Sequence, residues 1–412
     1  MKKNFKSLAI VAISLLLASC GTQPATEYGT RADALDASVW EASQWISAVD
    51  APVVTGKTGD MQNNRAADGS SWFVSTIKNE QKVASAKWMT TGLGVYEIYV
   101  NGKAIGQEFM KPGFTHYAKT RRSFTYDITD AFQTGAGAEN QLSAQVTPGW
   151  WADKIITPHG HEGFYGKKPA FRGVLELTYA DGSKKLYGTD LENWKAGVAG
   201  PIKHAAIFDG ETYDAREPMG YACADKFAQP ELNTEFSAEI LPSAGAEIYL
   251  RKDIALAPVK AYIWNGVEGA KEKEFGKVII TKEFAPGEEM IVKAGETLVV
   301  DFGQNCAGVP SFVFKAQEGT TLTCLPSELL NDGNGAESRG MDGPEGSVHR
   351  LNLRIPDSGM IIDYTFGASK DYVTYMPTHS FFGYRFVSIT ATDEVRIKSI
   401  TSIPVSSITK EM

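Results

Sequence analysis

The chain has 412 residues, of which 43% are hydrophobic, and a formal net charge of -8 at pH 7. This length and apolar content are sufficient for two or three domains with substantial cores. The acidic balance and the lack of a long Lys/Arg block exclude the electrostatic footprint of a nucleic-acid-binding protein. The net charge is compatible with neutral or weakly acidic binding partners.

The N-terminus predicts export. Lysines precede the apolar run 8-LAIVAISLLLA-18, which is short for a bilayer span and typical of a secretory signal. The overlapping stretch 16-LLASCG-21 resembles the lipobox of bacterial lipoproteins, in which the cysteine becomes the lipidated first residue of the mature chain. We therefore interpret 1–19 as a lipoprotein signal peptide and 20–35 as the lipidated Cys20 with a polar tether. The alternative is a plain signal peptide, and the expected location is the cell envelope, at the periplasmic or outer face of the outer membrane.

After the signal, the pattern is that of short β-strands. In 94-GVYEIYVNGKAIG-106 apolar residues alternate, and Asn101-Gly102 predicts a two-residue hairpin turn. The run 171-FRGVLELTYADGSKKLYG-188 repeats the design about Asp181-Gly182. Similar runs continue to the C-terminus, without helical periodicity over three turns. The predicted fold class is all-β, with two consecutive β-sandwich (jelly-roll-like) domains.

A polar stretch, 228-AQPELNTEF-236, is the expected boundary between the two sandwiches. It divides the chain into a first domain over 36–232 and a second over 233–405.

The stretch 208-FDGETYDARE-217 concentrates the acids Asp209, Glu211, Asp214 and Glu217. Glycoside hydrolysis needs two carboxyl groups that face each other across a sugar, and crowding in sequence does not supply that geometry. The spacing also misses the pattern of an EF-hand calcium loop. The favoured interpretation is a solvated turn that leads into a strand.

Three cysteines follow the predicted lipidation site, an odd number for an exported protein: Cys223, Cys306 and Cys324. If 311-SFVFKA-316 and 320-TTLTC-324 form a hairpin, Cys306 and Cys324 lie roughly 20 Å apart along the strands. A disulfide between them is therefore not expected, and buried free thiols are predicted.

A series of longer motifs follows in order along the chain. They are 92-GLGVYEIYVNGKAIG-106, 112-PGFT-115, 149-GWW-151, 208-FDGETYDAR-216, 300-VDFGQNCAG-308, 327-SELLNDG-333 and 381-FFGYRFV-387. The first four resemble the N-terminal module of bacterial α-L-rhamnosidases, and the last three resemble the β module that follows it in that family. The resemblance runs from about Trp72 to the last residue.

The resemblance implies that the catalytic acids are not in this sequence. In the family, which hydrolyses terminal non-reducing α-L-rhamnose residues with inversion, those acids lie in an (α/α)6 barrel after the second β module. This sequence ends at 399-SITSIPVSSITKEM-412, and 406–412 is interpreted as a truncated lead-in to that barrel. No catalytic residue is predicted, and we expect the non-catalytic front part of a truncated or split gene product, inactive alone.

The resemblance also implies a sugar-binding surface, because the N-terminal module of some members resembles a carbohydrate-binding module, in certain cases one that holds L-rhamnose with calcium. The candidate is the loop 149-GWWADKIITPHGHEGFYG-166, which offers flat apolar area and polar partners for hydroxyls or a hard cation. Adjacent tryptophans in a sandwich usually divide between core and surface, so at most one is expected to be a platform. The predicted carbohydrate-binding residues are Trp150, Trp151, Asp153, His159, His161 and Glu162.

No cofactor and no metal site are predicted, although calcium in the sugar-binding loop stays open. Two histidines and a glutamate are too few and too loosely spaced to define a zinc site. His116 and His379 are expected to be hydrogen-bonded packing residues. Asp301 and Gln304 are expected to satisfy backbone groups at a strand end, with Gly303 permitting the bend.

Three function classes stay open. The first is the front part of an α-L-rhamnosidase, the second a stand-alone lipid-anchored protein that binds L-rhamnose, and the third a purely structural pair of β modules. The expected partners are rhamnose-containing glycans, the membrane through a lipid on Cys20, and a separately encoded catalytic barrel, but not nucleic acid.

Overall fold

The computed structural model describes residues 28–53, 69–153, 163–335, 342–351 and 359–408. Strands dominate it, so the predicted all-β fold is confirmed. One short α-helix is described, α1 (Gly149–Ala152), together with 3₁₀ helices at Ala37–Ala42, Gly220–Lys226 and Lys252–Ile254.

The strands are numbered in chain order. Those that begin before residue 220 are β1 (Thr30–Arg31), β2 (Ile46–Ser47), β3 (Ser70–Lys78), β4 (Val83–Leu93), β5 (Val95–Val100), β6 (Lys103–Ala104), β7 (Thr120–Asp127), β8 (Glu139–Thr147), β9 (Ala170–Tyr179), β10 (Lys184–Gly188), β11 (Trp194–Ala199), β12 (Ile202–Ala206) and β13 (Gly210–Asp214). The later strands are β14 (Glu231–Leu232), β15 (Glu239–Pro242), β16 (Tyr249–Leu250), β17 (Lys260–Glu268), β18 (Lys277–Phe284), β19 (Met290–Val292), β20 (Thr297–Ala316), β21 (Thr321–Ser327), β22 (Leu329–Leu330), β23 (Val348–His349), β24 (Ile361–Thr365), β25 (Val373–Tyr375), β26 (Phe382–Ala391) and β27 (Val395–Ser406).

The first domain is a sandwich of two sheets. One has the order β1-β7-β4-β9-β2-β14, with β10 beside β9 and β15 beside β7, and the other has the order β11-β3-β8-β5-β6. A buried core that includes Phe73, Trp88, Tyr96 and Phe171 draws residues from both sheets. Burying these aromatic side chains is the main stabilising contribution of the domain.

Both predicted hairpin turns of the first domain are present. β5 pairs with β6 around Asn101 and Gly102, whose φ values of 52° and 76° are those of a type I′ turn. β9 pairs with β10 around Asp181-Gly182. The alternation of β5 is also observed, because Tyr96, Ile98 and Val100 are all fully buried.

The second domain is built around the long strand β20, which changes partners along its length. Its first part pairs with β17 and β26, and its last part pairs with β27 and β25. Val300 from the first part and Phe312 from the last part lie in the same buried core. Both the first and the last part of β20 therefore contribute side chains to one core.

The chain crosses between the domains more than once. β12 and β13 precede the predicted boundary at 232/233, yet they join the second domain's sheet through the parallel pairing of β13 with β24. β15 follows that boundary, yet it pairs in parallel with β7 of the first domain. No single cut in the described sequence therefore separates the strands of the first domain from those of the second.

The hairpin considered for β20 and β21 does not form. β21 pairs with β24 and β26 instead, and Cys324 lies between Ile362 and Ile389. The hairpin was wrong because β26, much later in the chain, inserts between the two strands. The three described cysteines are nevertheless free thiols, as predicted, with Cys306 half-buried and the other two buried.

Candidate functional site

The two tryptophans of the candidate loop lie on α1 and divide between core and surface. Trp151 is buried, and its indole N–H donates a hydrogen bond to the Lys168 carbonyl oxygen at 2.9 Å. The backbone at Gly166 passes so close that a Cβ there would lie 2.0 Å from the Trp151 ring. Trp151 is thus a core residue, and Trp150 is half-buried at the surface.

Asp153 lies at the end of α1 and makes a structural contact. Its Oδ2 accepts a hydrogen bond from the Ile207 N–H at 3.2 Å, which joins α1 to the segment between β12 and β13. His159, His161 and Glu162 lie outside the described residues, so their assignment to a sugar site stays a prediction.

Trp150 borders a group of aromatic side chains. Its ring lies 6.4 Å from that of Phe114 in a T-shaped arrangement, and Phe114 also contacts Tyr117 at 5.7 Å and Tyr165 at 6.0 Å. Phe114 is 51% exposed. Aromatic rings that stay partly in solvent offer flat apolar area to a ligand.

A cleft of about 260 Å³ opens beside these rings. Ligand pockets for drug-sized molecules usually enclose roughly 300 to 1,000 Å³, so this one suits a single small ring. The side chains that matter for its chemistry, which define what is termed the junction cleft, are Glu108, Phe114, Arg122, Phe124, Trp150 and Glu247.

Two carboxylates of the junction cleft share one guanidinium. Glu108 accepts a hydrogen bond from the Tyr126 hydroxyl at 2.6 Å, and its Oε1 lies 3.9 Å from Arg31 Nε. Glu247 accepts a hydrogen bond from the Ser243 hydroxyl at 2.6 Å, and its Oε1 lies 3.7 Å from an Arg31 terminal nitrogen. Both carboxylates are therefore held in place.

Among the described residues, no carboxylate pairs with Arg122, the arginine that lines this cleft. It is half-buried and follows Arg121 on β7. Among the described residues, its guanidinium makes no ion pair or hydrogen bond, whereas the buried guanidinium of Arg121 donates to the carbonyl oxygens of Gly92, Gly113 and Gly94. The five N–H donors of Arg122 are thus left for solvent or a ligand.

The acid cluster at 208–217 is not a site with converging carboxylates. Asp209 is buried, 3.8 Å from His204, whereas Asp214 pairs with Arg216 at 2.6 Å and Glu217 is exposed. The prediction of a solvated turn is wrong for Asp209 and Glu211, because this segment packs against the second domain.

Glu211 is fully buried at that contact and has three hydrogen-bond donors. They are the Tyr375 hydroxyl at 3.0 Å and the backbone N–H groups of Thr378 and His379, both at 3.1 Å. Burial raises the pKa of Glu211 to about 7, although the three donors oppose the rise. A carboxylate saturated by protein donors is a structural link between the domains and has no access to a substrate.

The other singled-out polar residues are structural, with two exceptions, His116 and Gln304. His379 is fully buried and its Nδ1 lies 2.8 Å from the Thr378 hydroxyl, as predicted, but His116 is exposed. Asp301 accepts a hydrogen bond from the Gly303 N–H at 2.6 Å, as expected, and also pairs with Arg385 at 2.8 and 2.9 Å. The segment lies within β20 and not at a strand end, and Gln304 is exposed, so that part of the prediction is wrong. Glu328 and Asn305 meet nearby at 3.1 Å.

The described residues contain neither an arranged set of metal ligands nor a helix suited to span a membrane. No group of three or more His, Cys, Asp or Glu side chains there is arranged to hold a metal ion. No helix among those residues is long and apolar enough to cross a membrane. Cys20 and the predicted signal peptide lie outside them, so the lipid anchor stays a prediction.

Sequence reasoning overlooked Phe114, Arg122 and Glu247. A signal was present for the first, because Pro-Gly-Phe places an aromatic residue directly after a turn, where it is readily exposed. Nothing local marked the other two, because β7 and the segment after β15 meet only in the folded chain.

The described part of the chain is thus a two-domain β-sandwich protein, with a small cleft of aromatic and charged residues between its first domain and residues 246–248. Residues 81–239 match the N-terminal domain of α-L-rhamnosidases, and residues 276–406 match the concanavalin-like domain of bacterial α-L-rhamnosidases. The chain belongs to the bacterial α-L-rhamnosidase family.

Curated relatives agree with this assignment. An α-L-rhamnosidase of Streptomyces avermitilis is 31% identical over 311 residues, which are 75% of this chain and 26% of that protein. An α-L-rhamnosidase of Alteromonas sp. is 27% identical over 359 residues, which are 87% of this chain and 33% of that protein. The chain therefore spans about a quarter to a third of the length of these relatives.

Solved structures show the same fold. The native α-L-rhamnosidase from Aspergillus terreus matches with a TM-score of 0.68 at 21% identity, over 90% of this chain and 36% of that one. The Streptomyces avermitilis enzyme complexed with L-rhamnose matches with a TM-score of 0.62 at 25% identity, over 82% of this chain and 28% of that one.

Proposed function

We propose that this chain is the non-catalytic β-domain portion of an α-L-rhamnosidase-like glycoside hydrolase, whose reaction is the inverting hydrolysis of terminal non-reducing α-L-rhamnose residues. The observation that carries the proposal is the match of two family domains in consecutive order. The structural engagement of the acid cluster supports it, because the buried Glu211 is held by three protein donors. A separately encoded catalytic barrel is the candidate partner.

The test is an activity assay on purified residues 21–412 with an aryl α-L-rhamnoside. We expect no release of the aryl alcohol above a mock purification from the same host. Release that follows the protein through a second purification step, and scales with its concentration, would contradict the proposal.

A second function, binding of L-rhamnose-containing glycans, is favoured by the half-exposed Trp150 beside the exposed Phe114. The solved relative in complex with L-rhamnose supports the choice of sugar. Calorimetry with L-rhamnose, with and without calcium, should give heat that Trp150→Ala reduces. Trp151→Ala is a poor test because it would open the core. An absence of heat at millimolar sugar would favour a purely structural role over sugar binding.

The proposed lipid anchor has its own test. Cells that express the full chain are grown with a radiolabelled fatty acid, and the label should enter the protein and place it in the membrane fraction. The Cys20→Ser variant should lose both, and a variant that keeps the label would refute lipidation at this residue.

A further inference from the structure

The side of β27 that faces away from β20 is paired along only part of its length. Toward the C-terminal end of β27, this side pairs with β16, and Ser402 exchanges two hydrogen bonds with Leu256, at 2.8 and 2.9 Å. Toward the N-terminal end it pairs with β19, as far as Ile397. Between these pairings, residues 398–401 have no backbone partner on this side among the described residues.

The backbone groups of Ile400 face this gap. Alternate residues of an antiparallel strand direct their N–H and C=O groups to the same side, so those of Ile400 point as those of Ser402 do, away from β20. The register agrees, because the residue of β20 opposite Ser402 is Pro310, which has no N–H. Ile400 is only 1% exposed, and within the described part of the chain its two groups have no partner on this side. A buried peptide group without a partner is costly, so the gap is a place where a hydrogen-bonding guest is stabilised.

The sequence explains why the gap exists. In the antiparallel register of the Ser402 pairing, the residue opposite Ile400 is Pro258, which has no N–H to donate. The next residue, Val259, donates its N–H to the Asp301 carbonyl oxygen at 2.8 Å and leads into β17. The proline and the departure of the chain into β17 together leave this side of β27 open.

A cleft of about 190 Å³ lies at the gap and is termed the β27 cleft. It is lined by residues 398–401 of β27, by residues 257–261 and by the turn between β18 and β19. The apolar side chains of the last two segments include Pro258, Val259, Phe284, Pro286 and Met290. Pockets for drug-sized molecules usually enclose roughly 300 to 1,000 Å³, so the guest is a short segment with apolar side chains.

The charges of the β27 cleft favour an acidic guest. Two of its three charged side chains, Glu288 and Lys260, each have a partner of opposite charge, at 2.9 and 3.5 Å. The third, Lys398, lies with its Nζ 5.6 Å from the Tyr372 ring and makes no ion pair with the described residues. One positive charge is therefore left for a carboxylate of the guest.

We propose that the β27 cleft binds an extended peptide segment of a protein partner, which adds as a short antiparallel strand beside Ile400 and places a carboxylate near Lys398. In this mode of recognition, main-chain hydrogen bonds give affinity and the side chains of the segment give selectivity. In antiparallel register, the acid is the second residue after the one opposite Ile400. The inference depends neither on hydrolysis nor on sugar binding.

The experiment is fluorescence anisotropy with purified residues 21–412 and the peptide fluorescein-Gly-Ser-Val-Ala-Val-Asp-Gly-Ser-amide. Its alanine is designed to lie opposite Ile400, so that its aspartate lies opposite Lys398. We expect saturable binding with a dissociation constant on the order of 0.1 mM, as for two main-chain hydrogen bonds and a few apolar contacts.

Two N-methylated peptides of identical composition test the main-chain contact. A methyl group on the alanine nitrogen removes the N–H that faces Ile400 and should weaken binding by about tenfold or more. A methyl group on the nitrogen of the following valine, whose N–H faces away from β27, should weaken it by less than about threefold.

Protein variants place the peptide in the β27 cleft. Lys398→Glu should weaken binding about tenfold, and a peptide with lysine in place of the aspartate should bind this variant as well as the original peptide binds the wild type. Ala285→Trp, which fills the cleft from an exposed position, should abolish binding. Ala136→Trp, at an exposed alanine of the first domain, is the matched control and should leave binding unchanged. A thermal melt of every variant confirms that it is folded.

The outcomes distinguish the possible occupants. No rise in anisotropy at millimolar protein, equal effects of the two methyl groups, or binding that folded Ala285→Trp leaves intact would each overturn the inference. Self-association in sedimentation velocity that Ala285→Trp abolishes would assign the cleft to a second copy of the chain and would also overturn it. The release of the aryl alcohol and the heat with L-rhamnose report the proposed functions independently.

Discussion

Glu211 and His379 form a buried pair whose protonation predicts an unusual pH profile. The Glu211 carboxylate accepts the backbone N–H of His379 at 3.1 Å and lies 4.0 Å from the histidine's Nδ1. Burial raises the pKa of Glu211 from 4.5 to about 7. Burial, with a smaller contribution from the charge of Lys111, lowers the pKa of His379 from 6.5 to about 3.

The two shifts have opposite effects on stability. The raised pKa of Glu211 contributes stability that is present below pH 4.5 and lost as the pH rises through 7. The lowered pKa of His379 contributes stability that is present above pH 6.5 and lost as the pH falls toward 3. Between pH 4.5 and 6.5 the folded pair holds one proton and the unfolded pair also holds one, so the two contributions cancel in slope.

Single substitutions should reveal the two pH dependences of the unfolding free energy that cancel in the wild type. In Glu211→Gln only the histidine remains, so the free energy of unfolding relative to wild type should rise by about 1.4 kcal/mol per pH unit between about pH 5 and 6. In His379→Asn it should fall by about the same amount per unit. Over their whole windows, the contributions are about 3 kcal/mol for Glu211 and about 5 kcal/mol for His379.

Urea unfolding of residues 21–412 at several pH values from 5 to 6, followed by tryptophan fluorescence, measures these slopes. Glu217→Gln, in the same segment but exposed, is the control and should run parallel to wild type. Each substitution also lowers stability at every pH through lost packing, so the slope and not the offset is the readout. The reasoning is refuted if both variants run parallel to wild type, or if their slopes share a sign.

Two further stability predictions follow from contacts in the first domain. Gly166→Ala should destabilise the protein by about 1 to 3 kcal/mol, because its Cβ would meet the Trp151 ring at 2.0 Å. The control is Gly135→Ala, which has open space around its Cβ and should change stability by less than about 1 kcal/mol. Equal urea midpoints for the two variants would contradict this packing. Lys111→Met should cost about 3 kcal/mol at pH 8, because it leaves the Glu97 carboxylate without its partner at 2.8 Å. The loss should be smaller at pH 5, because burial raises the pKa of Glu97 and its proton removes the charge, and an equal loss in thermal melts at both pH values would refute the explanation.

Features that depend on neighbours in sequence could be predicted. Asn101-Gly102 defines a hairpin because a two-residue turn with positive φ at both positions needs those residue types, and Gly182 in the second hairpin likewise has positive φ, at 84°. The alternation of Tyr96, Ile98 and Val100 likewise identifies a half-buried strand, since side chains alternate with a period of two. The family resemblance was also readable, because its motifs are local and occur in order.

Features that depend on distant segments could not be predicted. The hairpin of β20 with β21 failed because β26 lies between them in the sheet. Glu211 looked solvated because its donors lie more than 160 residues further along the chain. Trp150 and Trp151 are adjacent and chemically identical, and only the folded chain shows that Trp151 is the buried one, packed against Tyr117, Phe236 and the backbone at Gly166.

By itself, then, the sequence determined the β architecture, its tight turns and its family, because these depend on local backbone preferences and the order of short motifs. Only the tertiary structure decided which acids are buried, how the strands cross between the domains, and that Arg122, Trp150 and Glu247 meet at one cleft. The physical reason is that burial and hydrogen bonding depend on which segments lie side by side, and chain folding brings those segments together from far apart in the sequence.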